Sequence, residues 1–118
     1  ESGCGVFREE ESIRAALDTI VQLKGRYADI GLTDRSQIFN TEVVQAIELG
    51  NMLDVAEAVA LSALHRRESR GAHTRTDYPT RNDAEFWKHS LVTFAADGPR
   101  LSYKPVTKTR WELEERKY

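Results

Sequence analysis

The sequence is poor in the residues that cross-link a chain or anchor it in a bilayer. Cys4 is its single cysteine, which excludes an intrachain disulfide and a cysteine metal cluster. No run of eighteen apolar residues occurs, and a transmembrane helix needs about that length. We therefore expect no direct membrane insertion. The first residue is Glu1 rather than Met, and we expect the chain to be part of a longer protein.

The sequence also lacks the local signatures of common active sites. Gly3 and Gly5 do not open a strand–turn–helix unit, so a dinucleotide-binding glycine fingerprint is missing. No His-x-x-x-His or Cys-x-x-Cys pair is present to begin a metal site. His65, Glu68 and Ser69 lie close together, but no nucleophile-elbow sequence accompanies them, so a hydrolytic triad is not favoured. His65 is instead expected near the end of a helix, where the dipole favours a cation.

Positive charge is scarce in the first half of the chain and concentrated in the second. The net charge is -2, yet residues 1–64 hold eleven acidic and five basic side chains, whereas residues 65–118 hold eight acidic and twelve basic ones. Five arginines fall between positions 65 and 81. A compact arginine cluster of this kind meets carboxylates, phosphates or another domain. Nucleic acid is not favoured as its partner, because the chain as a whole is acidic.

The first predicted helix runs from about Glu10 to Tyr27. Apolar residues recur along it with helical spacing, from Ile13 through Leu17 to Val21. Glutamates at positions 9–11 suit the positive end of the helix dipole. These signals together predict an amphipathic helix with one buried face.

A second, longer helix is predicted over residues 41–67. Asn40 is expected to be its N-cap, and Phe39 is expected to pack on Val44 as a hydrophobic staple. Gly50 costs about 1 kcal/mol relative to alanine inside a helix, so we expect a bend or break there.

Residues 52–64 form an unusually apolar part of this second helix. Ten of these thirteen residues are apolar, and the apolar positions lie on every side of the helix. Such a helix is normally buried all round. A chain of this size can hardly surround it, so we expect another part of the parent protein to cover it.

Residues 66–79 are predicted to be irregular, because Gly71 and Pro79 interrupt regular structure. The Asn-Asp-Ala-Glu sequence at 82–85 predicts a capping box for a short helix that continues toward His89.

A β-hairpin is predicted beyond the short helix. Its strands are expected at 91–95 and 101–104, joined by the Asp-Gly-Pro turn at 97–99. The tail, residues 106–118, is expected to be extended, with Trp111 as its one large anchor.

The predicted fold class is mainly α. It is an antiparallel helical bundle of about three helices, the second one long, followed by a small β-hairpin and an extended C-terminal tail. We assign residues 1–80 to the bundle, with an arginine-rich loop at 65–80. Residues 81–118 supply the short helix, hairpin and tail of the same region.

The arginine-rich loop holds the candidate functional residues. One interpretation is an internal network of charge-assisted hydrogen bonds that braces the loop, and another is a docking surface on which Arg70 and Arg75 fork onto a neighbouring domain. Direct ligand contact is less favoured. The candidates are Arg66, Arg67, Glu68, Arg70, His73, Arg75 and Asp77.

Residues 67–79, Arg-Glu-Ser-Arg-Gly-Ala-His-Thr-Arg-Thr-Asp-Tyr-Pro, closely resemble a signature of the succinate dehydrogenase, fumarate reductase and L-aspartate oxidase flavoproteins. Four further segments resemble that family in the same order: Cys-Gly-Val-Phe-Arg at 4–8, Phe-Asn-Thr-Glu at 39–42, Asn-Met-Leu-Asp-Val-Ala-Glu at 51–57 and Asp-Ala-Glu-Phe-Trp-Lys-His at 83–89. The segments at 101–106 and 115–118 resemble succinate dehydrogenases and fumarate reductases rather than L-aspartate oxidases.

The resemblance implies a large flavoprotein in which FAD takes a hydride from succinate or gives one to fumarate. It implies two partners for this region, the flavin domain of the same chain and an iron–sulfur subunit. It also implies that the parent complex lies peripherally on the cytoplasmic side of a membrane. The family's catalytic and flavin-linking residues lie upstream, so no catalytic, cofactor-binding or metal residue is carried onto this chain. The alternatives are the C-terminal domain of L-aspartate oxidase and a free-standing helical interaction module.

Overall fold

The computed structural model describes residues 3–114, and helices make up most of its regular structure. The elements in chain order are β1 (Phe7–Arg8), α1 (Glu10–Tyr27), α2 (Thr41–His65), β2 (Thr74–Arg75), α3 (Asp83–Phe86), β3 (Lys88–Thr93) and β4 (Arg100–Pro105). β1 pairs with β2 in parallel, and β3 pairs with β4 antiparallel. The prediction of three helices, the second one long, with small strands is confirmed.

The two long helices pack against each other in opposite directions. Ile13, near the start of α1, forms a buried cluster with Ala63 and Leu64 at the end of α2. At the other end of the pair, Tyr27 lies against Gly50. The described contacts therefore establish an antiparallel pair. A wider bundle stays a prediction, because α3 is a single turn.

The start of α2 follows the prediction only in part. Asn40 is the N-cap, since its Oδ1 accepts a hydrogen bond from the Val43 N–H at 3.0 Å. The predicted staple between Phe39 and Val44 is wrong, because Phe39 is 96% exposed. Its φ of 56° places Phe39 in the left-handed region, which aims the side chain away from the helix.

The interior and end of α2 also differ from the prediction. The helix continues through Gly50, so the predicted break is wrong, and a bend there stays a prediction. A Cβ at this position would lie 2.6 Å from the Tyr27 hydroxyl, which means that glycine permits the close approach of α1. The helix ends at His65, two residues before the predicted end. Arg66 is extended there, at φ -88° and ψ 92°, and its guanidinium donates to the Phe86 carbonyl at 3.0 Å.

The apolar stretch of α2 is covered on one side only within residues 3–114. Its inner face is buried and consists of Leu53, Ala60, Ala63 and Leu64. On the outer face Met52, Val55 and Val59 are 61%, 64% and 50% exposed. Among the described residues, no helix is long and apolar enough to span a membrane.

The short helix α3 begins as predicted and ends earlier. The Asn82 side chain caps it by accepting from the Glu85 N–H at 3.1 Å. The helix stops at Phe86, so the predicted continuation toward His89 is wrong. His89 lies instead in strand β3, because the Arg66 guanidinium fixes the extended chain at this point through carbonyl bonds.

The hairpin is longer than predicted. β3 begins at Lys88, three residues before the predicted start, but it ends at Thr93, two residues before the predicted end. β4 runs one residue beyond the prediction at each end, and its Pro105 pairs with Lys88. Gly98, at φ 117°, supplies the turn that only glycine adopts easily. Trp111 is 79% exposed and does not anchor the tail on the described part of the chain. Residues 115–118, the end of the predicted tail, lie outside the described residues.

Candidate docking site: the arginine loop

The arginine loop, residues 65–80, contacts the C-terminal end of α2 and the N-terminal end of α1. Its strand β2 pairs with β1, which places Arg75 opposite Arg8. The Asp77 carboxylate accepts a hydrogen bond from the Glu10 N–H at the start of α1, at 3.0 Å. The loop therefore ties the end of α2 to the start of α1.

Arg75 is fully buried and completes the C-terminal end of α2. Its Nη1 donates to the carbonyls of Ala63 at 3.0 Å and Leu64 at 3.2 Å, two acceptors that lack helical partners. Its Nε and Nη2 fork onto the two oxygens of Asp77 at 2.7 and 2.6 Å. The guanidinium also stacks over the Tyr78 ring at 5.0 Å. The hydrogen bond from Arg75 lowers the pKa of Asp77 to about 2.

Glu68 is the second buried centre of the loop, with an exposure of 0%. Arg70 forks onto it through Nε at 2.8 Å and Nη2 at 3.0 Å, and Arg66 Nη1 donates to it at 2.6 Å. The Asn82 N–H donates to it at 2.8 Å. Burial acts to raise the pKa of Glu68, but these hydrogen bonds, Arg70 first, hold the pKa below its ordinary value. The carboxylate therefore stays charged.

The same arginines attach α3 and the hairpin to the loop. Arg70 Nη2 binds Asp83, the first residue of α3, in addition to Glu68. Arg66 Nη1 donates to the Phe86 carbonyl, and its Nη2 donates to the carbonyl of Lys88. Residues after 81 are thus held to the loop by two guanidinium groups.

His73 makes two hydrogen bonds that together define its tautomer. Arg8 Nη1 donates to Nδ1 at 2.9 Å, so this nitrogen is an acceptor, and Nε2 donates to the Arg66 carbonyl at 3.0 Å. Burial is the main cause that lowers the pKa of His73; the hydrogen bond to the Arg66 carbonyl acts to raise it, and the positive charges of Arg8, Arg75 and Arg66 lower it further. The imidazole bridges the N-terminal segment and the loop.

The structure brings six of the seven predicted residues into two linked networks. Arg67 is the exception, since it is exposed and makes no hydrogen bond to the other residues of 3–114. The Ser69 hydroxyl donates to the carbonyls of Arg75 and Tyr78. It therefore holds the loop backbone and does not donate to a histidine, as the triad considered above would require.

Sequence reasoning missed Arg8, Asn82 and Asp83 as members of these networks. Arg8 is 65 positions from His73, and no local pattern joins residues so far apart. Across the described residues, every buried side-chain N or O atom has a hydrogen-bond partner. The arrangement can brace the chain and present cations, but it holds no nucleophile beside a base.

The family model described as "Fumarate reductase flavoprotein C-term" matches residues 1–118. The chain belongs to this family. It is 45% identical to the fumarate reductase flavoprotein subunit of Haemophilus influenzae, over 100% of this chain and 20% of that protein. It is 44% identical to the succinate dehydrogenase flavoprotein subunit of Rickettsia conorii, over 92% of this chain and 18% of that protein.

A solved structure supports the same assignment to the flavoprotein C-terminal family. A mutant quinol fumarate reductase of E. coli superposes with a TM-score of 0.91 at 42% identity, covering 95% of this chain and 20% of that one. The chain thus spans about a fifth of the length of the curated relatives that it matches. The arginine loop belongs to the C-terminal domain of a flavoprotein subunit.

Proposed function

We propose that this domain braces the flavin domain of a subunit that interconverts succinate and fumarate. The observation that carries the proposal is the closed arginine network. Arg75 and Glu68 are fully buried. Arg75 donates to the end of α2 and to Asp77, and Glu68 accepts from Arg66, Arg70 and the Asn82 N–H. Such a network rigidifies a surface, and it leaves the chemical step to residues elsewhere in the polypeptide.

The proposal assigns FAD to the upstream part of the polypeptide. The described residues do not fit a dinucleotide site, because the first turn of α1 carries Glu10 and Glu11, whose charge repels a phosphate. Gly71 and Gly98 have positive φ but lie in a loop and a hairpin turn, where no helix begins. When bound, FAD would supply the hydride chemistry, and this domain would stabilise the flavin domain that holds it.

The proposed docking and bracing site comprises Arg66, Arg67, Glu68, Arg70, His73, Arg75 and Asp77. Within it Glu68 and Arg75 are buried and brace the loop, and the other members face the neighbouring domain in the proposal. Two features support it. The loop is held by the hydrogen bonds of buried Arg75 and Glu68, and Arg67 is exposed and makes no hydrogen bond to the other residues of 3–114. The proposal also holds that the α1–α2 pair becomes part of an antiparallel bundle in the whole subunit. In it, residues 1–80 and 81–118 act as one region, since Arg66 and Arg70 join them.

The proposed partner outside the polypeptide is an iron–sulfur subunit, which would exchange electrons with the flavin. The complex would sit peripherally on the cytoplasmic side of a membrane. Similarity to a quinol fumarate reductase supports this setting, because quinol is a membrane-borne reductant. L-aspartate oxidase is the alternative within the wider group, and a free-standing helical module is the alternative outside it.

The test uses the full-length subunit that contains this chain. Bound flavin is identified by mass after release, and turnover is measured with succinate and a dye acceptor, with fumarate and a reduced viologen, and with L-aspartate and oxygen. We expect FAD and activity with succinate and fumarate. Activity with aspartate alone would support the alternative, and a protein without flavin would refute the proposal.

A further inference from the structure

A groove of about 850 Å³ lies between the outer face of α2, the arginine loop and β3. Val55, Ala58 and Val59 of α2 line its apolar side, together with Val92 of β3. Its basic side is formed by Arg8, Arg66, Arg70 and Lys88, with His73 between them, and no acidic side chain lines it. The groove therefore combines an apolar wall with a single sign of charge.

Two of these cations have no carboxylate partner among residues 3–114. Arg8 donates from Nε to the Gly5 carbonyl and from Nη1 to the neutral His73 ring. Neither acceptor carries a negative charge, so the charge of Arg8 is not compensated there. Lys88 holds its ammonium over the ring of Tyr103 at 4.1 Å and the ring of Phe86 at 5.2 Å. Aromatic faces stabilise a cation and do not neutralise it. Both groups are thus available to a carboxylate.

The apolar wall also lacks a cover. Val55 is 64% exposed and Val59 is 50% exposed, and the exposed surface continues to Met52, one turn away. Adjacent apolar surface of this kind marks a binding site in a soluble protein. An occupant that satisfied both sides of the groove would carry apolar side chains and at least one carboxylate.

We infer that this groove docks an acidic, apolar segment of the upstream part of the same polypeptide. Charge complementarity selects an acidic occupant. The groove is open to solvent, whereas small-molecule sites enclose most of their ligand. The relatives that the chain matches are about five times its length, since it covers 20% of them. The upstream chain is therefore present at high effective concentration. The inference rests on the proposed bracing function and names the surface that performs it.

Carbodiimide cross-linking of the full-length subunit tests the inference, because the reagent joins an amine to a carboxylate only when the two are in contact. We expect Lys88 to be linked to an Asp or Glu upstream of this chain, identified by peptide mass spectrometry. Lys104 is the matched control. It lies on the paired strand β4 opposite His89, hence on the other hairpin face from Lys88. We expect no such link from Lys104.

A link from Lys88 to a carboxylate within residues 1–118, or to another subunit, would overturn the inference. So would acetylation of Lys88 at the same rate as Lys104 in the full-length subunit, with protection only on addition of anionic phospholipid vesicles. Because the readout is a cross-link, it is independent of flavin content and turnover. A subunit with another substrate would refute the proposed function and leave this result unchanged.

A pair of valines tests the apolar wall. Val59→Asp places a carboxylate in the groove, and Val44→Asp makes the same change on α2 outside it at a similar exposure, 53% against 50%. We expect Val59→Asp to abolish the Lys88 cross-link to the upstream segment and Val44→Asp to preserve it. Retention of the cross-link in Val59→Asp, with the subunit folded by circular dichroism, would remove α2 from the interface.

Discussion

At the scale of single residues, the structure shows which arginine of the loop completes the C-terminal end of α2. Arg70 lies closer in sequence to the end of α2, but it is Arg75 that donates to the free Ala63 and Leu64 carbonyls. The sequence shows that an arginine cluster follows the helix. It cannot show which side chain turns inward, because that depends on the tight turn in which Arg70 and His73 exchange backbone hydrogen bonds around Gly71.

Arg75→Lys is expected to destabilise the chain strongly. Lysine cannot fork onto Asp77 and reach the Ala63 and Leu64 carbonyls together, so buried acceptors lose their donors. We expect the free energy of unfolding in urea to fall by about 2–4 kcal/mol. Arg100→Lys is the control, because the Arg100–Asp97 pair is exposed and its loss costs at most about 1 kcal/mol. Equal effects of the two substitutions would contradict the capping role.

His73 is expected to make stability depend on pH near neutrality. Its folded-state pKa is lowered from 6.5, so below that pH the unfolded chain binds a proton that the folded chain does not. The free energy of unfolding therefore falls as the pH drops through 6.5 toward the folded-state pKa. His73→Gln should flatten this fall, since an amide can accept from Arg8 and donate to the Arg66 carbonyl.

Urea unfolding of both proteins between about pH 7.5 and 5 measures the difference, a window that brackets the ordinary histidine pKa. His89→Gln, an exposed position on β3, should keep the parental pH dependence. An unchanged slope in His73→Gln would assign the effect to another group.

At the scale of elements, the sequence predicts what local signals encode and misses what distant contacts decide. Apolar spacing predicted α1 at its observed bounds, Glu10–Tyr27. Asn40 and Asn82 were identified as caps because a cap bonds within its own turn. The β1–β2 pair was missed, since two-residue strands that join Arg8 to Arg75 carry no periodicity.

Gly50→Ala is expected to destabilise the α1–α2 pair, although alanine favours helix by about 1 kcal/mol over glycine. The reason is the Tyr27 side chain, because a Cβ at this position would lie 2.6 Å from its hydroxyl oxygen and 2.7 Å from its Cζ. Combined with Tyr27→Ala, the same substitution should become stabilising. Gly25→Ala in α1 is the control, because nothing lies within 4 Å of its added Cβ.

Urea unfolding of these variants as a double-mutant cycle measures the coupling between Gly50 and Tyr27. A stabilising Gly50→Ala in the parental background would mean that Tyr27 moves aside freely and that the close approach is not needed.

At the scale of the whole molecule, the question is whether the arginine loop serves stability or chemistry. Arg70 decides it most directly, because it joins buried Glu68 to Asp83 and so links the loop to α3. Lysine offers one ammonium group where arginine offers a fixed fork. We expect Arg70→Lys in the full-length subunit to lower stability by about 1–3 kcal/mol, the cost of a buried acceptor losing a partner.

That loss should appear as a lower melting temperature or lower flavin content, while turnover per bound flavin stays within a few-fold of the parent. Arg100→Lys is the control, since the Arg100–Asp97 pair is exposed and lies at the hairpin turn, outside the arginine loop. A variant at position 70 with full stability and flavin content, but turnover reduced about a thousandfold, would have lost about 4 kcal/mol of transition-state stabilisation. Arg70 would then act on the substrate, and the loop would be part of the active site rather than its support.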